Sequence, residues 1–265
     1  RRILTRSEHR NVQKAVQIVG TRTAFPPRCG IGWYGKATKG ADNMKQWISL
    51  LLTVLLLALL TLVAAGGYFA VTGHKLYESA IQVTPIDTLY SSISSREGFV
   101  PYAQLPQTYI NAVISAEDSR FTHHKGVDPV SIARALVTDL RTGSFAEGGS
   151  TITQQLAKNT LFTQEKHLAR KAAEMFAALA IEKQYNKEQI FEMYVNTIYF
   201  GSGHYGIGEA AQGYFGKTPL QLTDAEAVML AGLPNAPSAY SPNSSPDKSE
   251  AQAVLGRQTD FPTPW

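Results

Sequence analysis

A long uncharged apolar run lies in the first third of the chain. No formally charged residue occurs between Lys45 and Lys75, and residues 47–71 are predominantly apolar. At about 1.5 Å of rise per residue, a helix of this length is about 37 Å long, enough to cross a hydrocarbon core of about 30 Å. Trp47 and Tyr68 lie near its ends, where amphipathic rings prefer the membrane interface. The run predicts a single transmembrane helix over 47–71; the alternatives are a cleaved signal peptide and a buried helix of a soluble protein.

The pattern after this run changes at Pro106. Residues 72–105 show weak periodicity and contain Pro85 and Pro101, which predicts an extracytoplasmic stalk. From Pro106 onward helical signals dominate and strand signals are sparse, so we expect a mainly α domain over 106–243. The remaining residues, 244–265, are expected to form a C-terminal tail.

Capping residues predict where the helices of this domain begin and end. The pair Asp128-Pro129 begins a helix that Gly143 ends. Apolar residues from Tyr109 to Ile114 recur at helical spacing, and they either pack in a core or dip into the membrane interface. The other expected helices end at Glu117, run from Ser150 to about Leu161 and from about Gln164 to Tyr185, and begin at Asn186 with Gln189 and at Thr223 with Glu226.

The charge of the chain divides at the apolar run. The whole chain has a net charge of +4, but residues 1–46 carry ten Lys/Arg against two acidic residues, which leaves the rest with fifteen against nineteen. Since Lys and Arg favour the cytoplasmic side of a span, we expect a basic cytoplasmic tail over 1–46 and an extracytoplasmic domain. The chain opens with Arg, and Met44 directly precedes the run. Residues 1–43 are therefore interpreted as either a basic tail or sequence outside the native protein.

Composition excludes several classes of protein. With 44% hydrophobic and 17% charged residues the chain is neither disordered nor a coiled-coil rod. A single cysteine, Cys29, excludes an intramolecular disulfide, and no Cys/His set has zinc spacing, so no protein-held metal site is predicted. The folded part has no dense Lys/Arg stripe, so nucleic acid is not expected as a partner.

Glu117 is the first candidate for chemistry. It follows an apolar helical segment, and burial of a carboxyl group disfavours its charged form and raises its pKa. A carboxyl group with a raised pKa can transfer protons near neutral pH. The alternative is a solvated carboxylate at a helix end.

Two further strings place polar groups at helical spacing. In GGSTITQQLAKN, residues 148–159, Gln154 and Lys158 are four residues apart, so an amide and an ammonium share one helix face. Such a face suits sugar hydroxyls and phosphate oxygens, although an ordinary amphipathic helix has the same pattern. Arg170 and Glu174 show the same spacing, which indicates either a second catalytic carboxylate with basic neighbours or a surface ion pair.

Taken together, these strings resemble the peptidoglycan glycosyltransferase domain, glycosyltransferase family 51, of class A penicillin-binding proteins and monofunctional biosynthetic transglycosylases. The matching strings are EDSRFTHHKG at 117–126, EGGSTITQQLAKN at 147–159, RKAAEMFAALAIEKQYNKEQIFEMYVNTIYFG at 170–201, YGIGEAAQGYFGK at 205–217 and AEAVMLAGLPNAPSAYSPN at 225–243. They occur in the family's order, and the stretch that contains them, 117–243, covers nearly half of the chain. The resemblance implies a lysozyme-like, mainly α fold.

The resemblance also implies an activity, which is the polymerisation of lipid II into β-1,4 glycan strands with release of undecaprenyl diphosphate. It makes Glu117 the general base and Glu174 the second catalytic glutamate. It places substrate-binding residues at Asp118, Ser150, Thr151, Gln154, Gln155, Lys158, Asn159, Arg170 and Lys171. The expected partners are lipid II, the growing glycan chain and membrane lipid, together with proteins of cell-wall synthesis or the divisome. Because the family often uses Mg²⁺ or Mn²⁺, a divalent cation near the diphosphate is a further expectation.

Two other interpretations stay open at this point. The chain is alternatively an N-terminal fragment of a bifunctional class A penicillin-binding protein, because its ending RQTDFPTPW departs from the family's usual continuation. A lytic muramidase would share the lysozyme-like fold, and fold alone does not decide function. The resemblance favours the glycosyltransferase.

Overall fold

The computed structural model describes residues 34–143, 148–163 and 168–235, with side chains described from residue 43. The tail at 244–265, most of the basic tail and the predicted helix start at Gln164 lie outside the described residues. The chain divides into two compact units, Arg1–Leu62 and Val63–Trp265.

The first helix, α1, spans Tyr34–Val83, well beyond the predicted 47–71. Its part Asn43–Val83 is the one described helix that is long and apolar enough to cross a membrane. In the first unit its apolar side chains are exposed, among them Leu51, Leu55 and Leu62. A helix that is apolar on all sides is suited to lipid or to a protein core, and here no protein surrounds these side chains in the part of the chain that the structure describes.

The segment 72–105 differs from the predicted stalk. Helix α1 continues to Val83, and after a 3₁₀ turn a short helix, α2, covers Leu89–Ser94. Leu89 and Ile93 lie four residues apart on one face and are 2% and 1% exposed. The stalk prediction is therefore wrong for this segment, because these apolar side chains belong to the domain core.

The second unit is mainly α, as predicted. Its further helices are α3 Gln107–Glu117, α4 Pro129–Thr142, α5 Ile152–Leu161, α6 Leu168–Gln184, α7 Lys187–Val195, α8 Ile207–Phe215 and α9 Asp224–Gly232. Between α7 and α8, strands β1 Tyr199–Gly201 and β2 His204–Tyr205 form an antiparallel hairpin. Short 3₁₀ turns lie at Tyr102–Gln104, Phe121–His123, Pro219–Gln221 and Leu233–Asn235.

Most predicted caps are confirmed. The Asp128 carboxylate accepts a hydrogen bond from Val130 N at 3.0 Å, and Gly143 ends α4 in the left-handed region. Reciprocal capping boxes begin α7 and α9 at the predicted pairs, Asn186 with Gln189 and Thr223 with Glu226.

The cap of α5 is displaced by one residue from the prediction. Thr151, rather than Ser150, caps this helix in a box with Gln154. The Ser150 hydroxyl accepts a hydrogen bond from Lys171 instead, at 2.6 Å. Both hydroxyls are capable of capping, and their tertiary hydrogen bonds distinguish them, since Ser150 contacts Lys171 and Thr151 contacts Gly126 O.

The core places three helices around the site. Helix α3 packs against α9, so Tyr109, Ile110 and Val113 are at most 2% exposed. The expectation that this segment dips into the membrane interface is therefore wrong, and the core-packing alternative is what the structure shows. Helix α5 packs against both α6 and α7, and buried alanines such as Ala173 and Ala177 give α6 a narrow surface that lets a neighbouring helix approach closely.

Candidate functional site

Glu117 is the last residue of α3, and its carboxyl group points into the interior. Oε2 accepts a hydrogen bond from Gln155 Nε2 at 2.7 Å, whereas Oε1 is buried without a hydrogen-bond partner among the described residues. Burial raises the pKa of Glu117; the hydrogen bond from Gln155 and the charge of Lys158 lower it in part, and Asp118 raises it further. The alternative of a solvated helix-end carboxylate is therefore wrong.

Asp118 connects the end of α3 to the start of α5. Its carboxylate accepts hydrogen bonds from His124 Nε2 at 2.9 Å and from Ile152 N at 3.1 Å. His124 Nδ1 accepts from Gly126 N, so Nε2 carries the proton that it donates to Asp118. Asp118 was predicted to bind substrate; the structure places it in a pocket wall with its carboxylate committed to these two donors.

The Glu117 pocket is a cavity of about 200 Å³. Its lining residues are 115–119, Ser131, Arg134, Ala135, Gly148, Ser150 and Thr151. Sequence reasoning missed Ser131 and Arg134 of α4, which lie three residues apart and are joined by a hydrogen bond from Arg134 to the Ser131 hydroxyl at 3.3 Å. Their spacing was visible in the sequence, but nothing local indicated that this face of α4 turns toward Glu117.

The Glu174 pocket is an adjoining cavity of about 120 Å³. It is lined by Ser150, Gln154, Gln155, Lys158, Arg170, Lys171 and Glu174. Ser150 lines both pockets, so this residue forms a shared wall. Seven of the predicted site residues thus meet in one small cavity.

Glu174 is buried between two cations of its own helix, α6. Lys171 Nζ donates a hydrogen bond to Oε2 at 2.9 Å, and Arg170 Nε lies 3.2 Å from Oε1, close enough for an ion pair but outside hydrogen-bond geometry. The Glu174 side chain is only 2% exposed. The alternative of a surface ion pair is therefore wrong, since burial of a charge requires partners of this kind.

Three predicted binding residues differ from the others in their surroundings. Thr151 and Gln154 form hydrogen bonds within the protein, and Asn159 lies outside both pockets. Thr151 Oγ1 donates a hydrogen bond to Gly126 O at 2.6 Å, and Gln154 Oε1 accepts one from Thr151 N at 3.0 Å. Both side chains are buried and shape the start of α5. Asn159 is exposed and lines neither pocket.

Two buried tyrosines behind Glu117 were also missed. Tyr194 of α7 donates a hydrogen bond from its hydroxyl to Gln155 Oε1 at 3.4 Å, and Tyr109 of α3 lies close enough to interact with both Glu117 and Tyr194. Burial raises the pKa of both tyrosines well above the usual range. Both read as core aromatics in the sequence, and no local pattern links them to Glu117.

The donor set does not fit a cation that the protein alone would hold. Within residues 34–143, 148–163 and 168–235, no group of three or more His, Cys, Asp and Glu side chains could bind a metal ion. Asp118, the acidic neighbour of Glu117, already accepts two hydrogen bonds.

The arrangement combines two chemical capacities in adjoining cavities. A carboxyl group that has a raised pKa and lines a pocket can accept a proton. The neighbouring cavity presents Lys158, Arg170 and Lys171, which can stabilise an anionic leaving group.

Comparison with known proteins gives a consistent result. Residues 84–259, about two thirds of the chain, match the family described as Transglycosylase. The chain is 41% identical over 256 residues to penicillin-binding protein 1A/1B of Bacillus subtilis, an alignment that covers 92% of this chain and 27% of that protein. It is 47% identical to penicillin-binding protein 1A of Aquifex aeolicus over 161 residues, with coverages of 60% and 22%. It is 48% identical to penicillin-binding protein 1A of Escherichia coli over 159 residues, an alignment that covers 59% of this chain and 19% of that protein. The chain spans less than a third of the length of these relatives.

Proposed function

Since the chain belongs to the transglycosylase family, with its lysozyme-like, mainly α domain, we propose that it is a peptidoglycan glycosyltransferase that polymerises lipid II into glycan strands. The observation that carries this proposal is the pairing of the two pockets. One is lined by the largely buried carboxyl group of Glu117, and the other is lined by three cations and a second buried glutamate. A glycosyl transfer that expels a diphosphate needs both.

In the proposed reaction Glu117 removes the proton from the 4-hydroxyl of the acceptor sugar. The resulting oxygen attacks the anomeric carbon of the lipid-linked donor, a C–O bond forms, and the bond to the diphosphate oxygen breaks. The configuration at the anomeric carbon inverts, as in glycosidases that use one carboxylate as a base, with the acceptor hydroxyl in place of water. The raised pKa of Glu117 increases its strength as a base once it is ionised.

The leaving diphosphate is assigned to the Glu174 pocket. Lys158, Arg170 and Lys171 line this pocket, and charge-assisted hydrogen bonds from such groups stabilise phosphate oxygens as negative charge develops. Glu174 holds Arg170 and Lys171 from the protein side, so that these long side chains stay ordered before the substrate binds.

The location of the reaction follows from the apolar helix. We infer that α1 anchors the chain in the cell membrane in a single pass, with the basic tail in the cytoplasm and the catalytic domain outside it. Because both substrates carry lipid chains, an anchored enzyme meets them in the plane of the bilayer.

The test is polymerisation of labelled lipid II by the full chain in detergent. We expect long glycan products from the parent chain and none from Glu117→Gln. Release of soluble fragments from finished peptidoglycan, with lipid II left untouched, would replace this proposal with a lytic muramidase.

A further inference from the structure

Glu117 is held from one side only, by a chain of hydrogen bonds that crosses three helices. Tyr194 of α7 donates to Gln155 Oε1 at 3.4 Å, and Gln155 of α5 donates from Nε2 to Glu117 Oε2 at 2.7 Å. The other carboxyl oxygen, Oε1, is buried and has no hydrogen-bond partner in the described part of the chain.

From this geometry we propose that Gln155 and Tyr194 are positioning residues, which hold Oε2 of Glu117 and so fix the orientation of its carboxyl group at the wall of the Glu117 pocket. This inference rests on the proposed function of Glu117 as the base. It gives Gln155 a role that is different from contact with the donor substrate, and it gives the buried Tyr194 hydroxyl a role in the reaction.

The orientation of the Gln155 amide is the central step. An amide has a donor end and an acceptor end, and only the donor end can face an ionised carboxylate favourably. The Tyr194 hydroxyl is fully buried, and it donates to the acceptor end of Gln155. The ionised carboxylate of Glu117 disfavours the reversed amide, which would place two oxygens against each other, and the hydrogen bond that Tyr194 donates adds to the preference for the observed orientation.

Other charged and titratable groups surround Glu117 from several elements. Lys158 and Asp118 act on its pKa in opposite directions. The groups that face Glu117 are Lys158 from α5, Arg134 from α4 across the pocket, Tyr194 from α7, and Tyr109 and Asp118 from its own helix and cap. None of these groups is seen to form a hydrogen bond with the Glu117 carboxyl group among the described residues. The amide of Gln155 does, through its hydrogen bond to Oε2.

The first variant is Gln155→Met, which keeps the length of the side chain and removes the amide. Loss of this donor raises the pKa of Glu117, since the hydrogen bond favours the ionised form. We expect kcat on lipid II to fall about tenfold or more, with a smaller change in KM, and the acid limb of the pH profile to move to higher pH. A change in KM alone, with the acid limb unmoved, would overturn the proposal and return Gln155 to substrate binding.

The second variant is Tyr194→Phe, which keeps the ring and removes the hydroxyl. We expect the same changes in the same direction, but smaller, because the amide can still donate when it is correctly oriented. The matched control is Tyr185→Phe, whose hydroxyl donates to Ile86 O at 2.6 Å and accepts from Tyr90 N at 3.4 Å, two residues that line neither pocket. It should lower stability without moving the acid limb; an equal movement in Tyr185→Phe and Tyr194→Phe would remove Tyr194 from the proposal.

A readout without catalysis separates this inference from the proposed function. In full-length protein with ¹³C-labelled glutamate carboxyl groups, the resonance absent from Glu117→Gln reports the titration of Glu117. Its midpoint should move to higher pH in Gln155→Met and, by less, in Tyr194→Phe. If the parent fails to polymerise lipid II while these midpoints still move, the proposed function fails and the hydrogen-bonded chain stands. If the midpoints do not move, the inference fails whatever the activity.

Discussion

The Glu117 pocket and the Glu174 pocket share Ser150 as a lining residue, and each holds a buried glutamate in very different surroundings. Glu117 receives one hydrogen bond from a neutral amide and keeps one oxygen without a partner in the described structure. Glu174 lies against two cations, 2.9 Å from Lys171 Nζ and 3.2 Å from Arg170 Nε. The comparison shows how surroundings assign opposite tasks to the same residue type: one carboxyl group is prepared to take a proton, and the other holds positive charge in place.

The largest expected effect is the loss of activity in Glu117→Gln. Removal of a general base lowers turnover by on the order of 10²–10⁴-fold. Because burial raises the pKa of Glu117 in the folded chain, its ionised form is disfavoured there, and the folded state loses stability as the pH rises through its usual range toward the raised value. The neutral glutamine should therefore leave the thermal midpoint unchanged or raise it at neutral pH.

Turnover and thermal unfolding measured on the same sample test this expectation. A drop in the midpoint that accompanies the loss of activity would mean that Glu117 has a structural role like that of Glu174. The exposed Glu188→Gln on α7 is the control, and it should change neither quantity.

Glu174→Gln should affect stability where Glu117→Gln does not. It leaves Arg170 and Lys171 without their buried counter-charge, and we expect a loss of about 1–3 kcal/mol in the free energy of unfolding, moderated because Lys171 is 47% exposed. Turnover should also fall, since the cations lose their fixed positions. Denaturant unfolding measures the first quantity; equal stability of the parent and the variant would argue against a charge-holding role.

Thr151→Val should disturb both pockets together. The variant loses the cap of α5 and the hydrogen bond to Gly126 O, and we expect a destabilisation of about 1–2 kcal/mol. Thr160→Val on the same helix is the control, because its hydroxyl only bonds to Leu156 O one turn earlier and its loss should cost a few tenths of a kcal/mol. Comparable losses in the two variants would show that the cap does not support the shared wall.

The smallest expected shift is in the pH profile of Lys158→Gln, whose turnover also falls because Lys158 lines the pocket proposed for the leaving diphosphate. Lys158 lowers the pKa of Glu117, so its removal raises that pKa and moves the acid limb of kcat/KM to higher pH. The exposed Lys183→Gln, at the end of α6, is the matched control for a lost positive charge. A movement to lower pH would contradict the assignment of Lys158 to the electrostatics of the Glu117 pocket.

Local signals predicted much of this structure. Caps such as Asp128-Pro129 and Gly143 act within a few residues, so they were predicted correctly, and so were the boxes that begin α7 and α9. The burial of Glu117 was also predictable, because it follows an apolar helix. The family resemblance implied seven site residues that the structure then places together as the lining of the Glu174 pocket.

Long-range contacts account for what the sequence did not predict. Gln155 and Glu117 are separated by 38 residues, and Tyr194 by 39 more, so their hydrogen bonds have no local pattern. The stalk prediction failed for a related reason, since weak periodicity over 72–105 hides pairs such as Leu89 and Ile93 that a distant core buries. The cap of α5 was likewise predicted at Ser150 instead of Thr151, because distant contacts decide between the two neighbouring hydroxyls.

Three glycines of α1, Gly66, Gly67 and Gly73, differ in how much space the structure leaves for a side chain. A Cβ at Gly66 or Gly67 would meet no described atom within 4 Å, whereas one at Gly73 would lie 2.5 Å from Ala172 Cβ and 2.8 Å from Ala169 O. Those alanines belong to α6, the helix that carries Glu174. In a library of alanine and other small apolar substitutions, variants at 66 and 67 should keep the folded domain and its proposed activity, and variants at 73 should lose them.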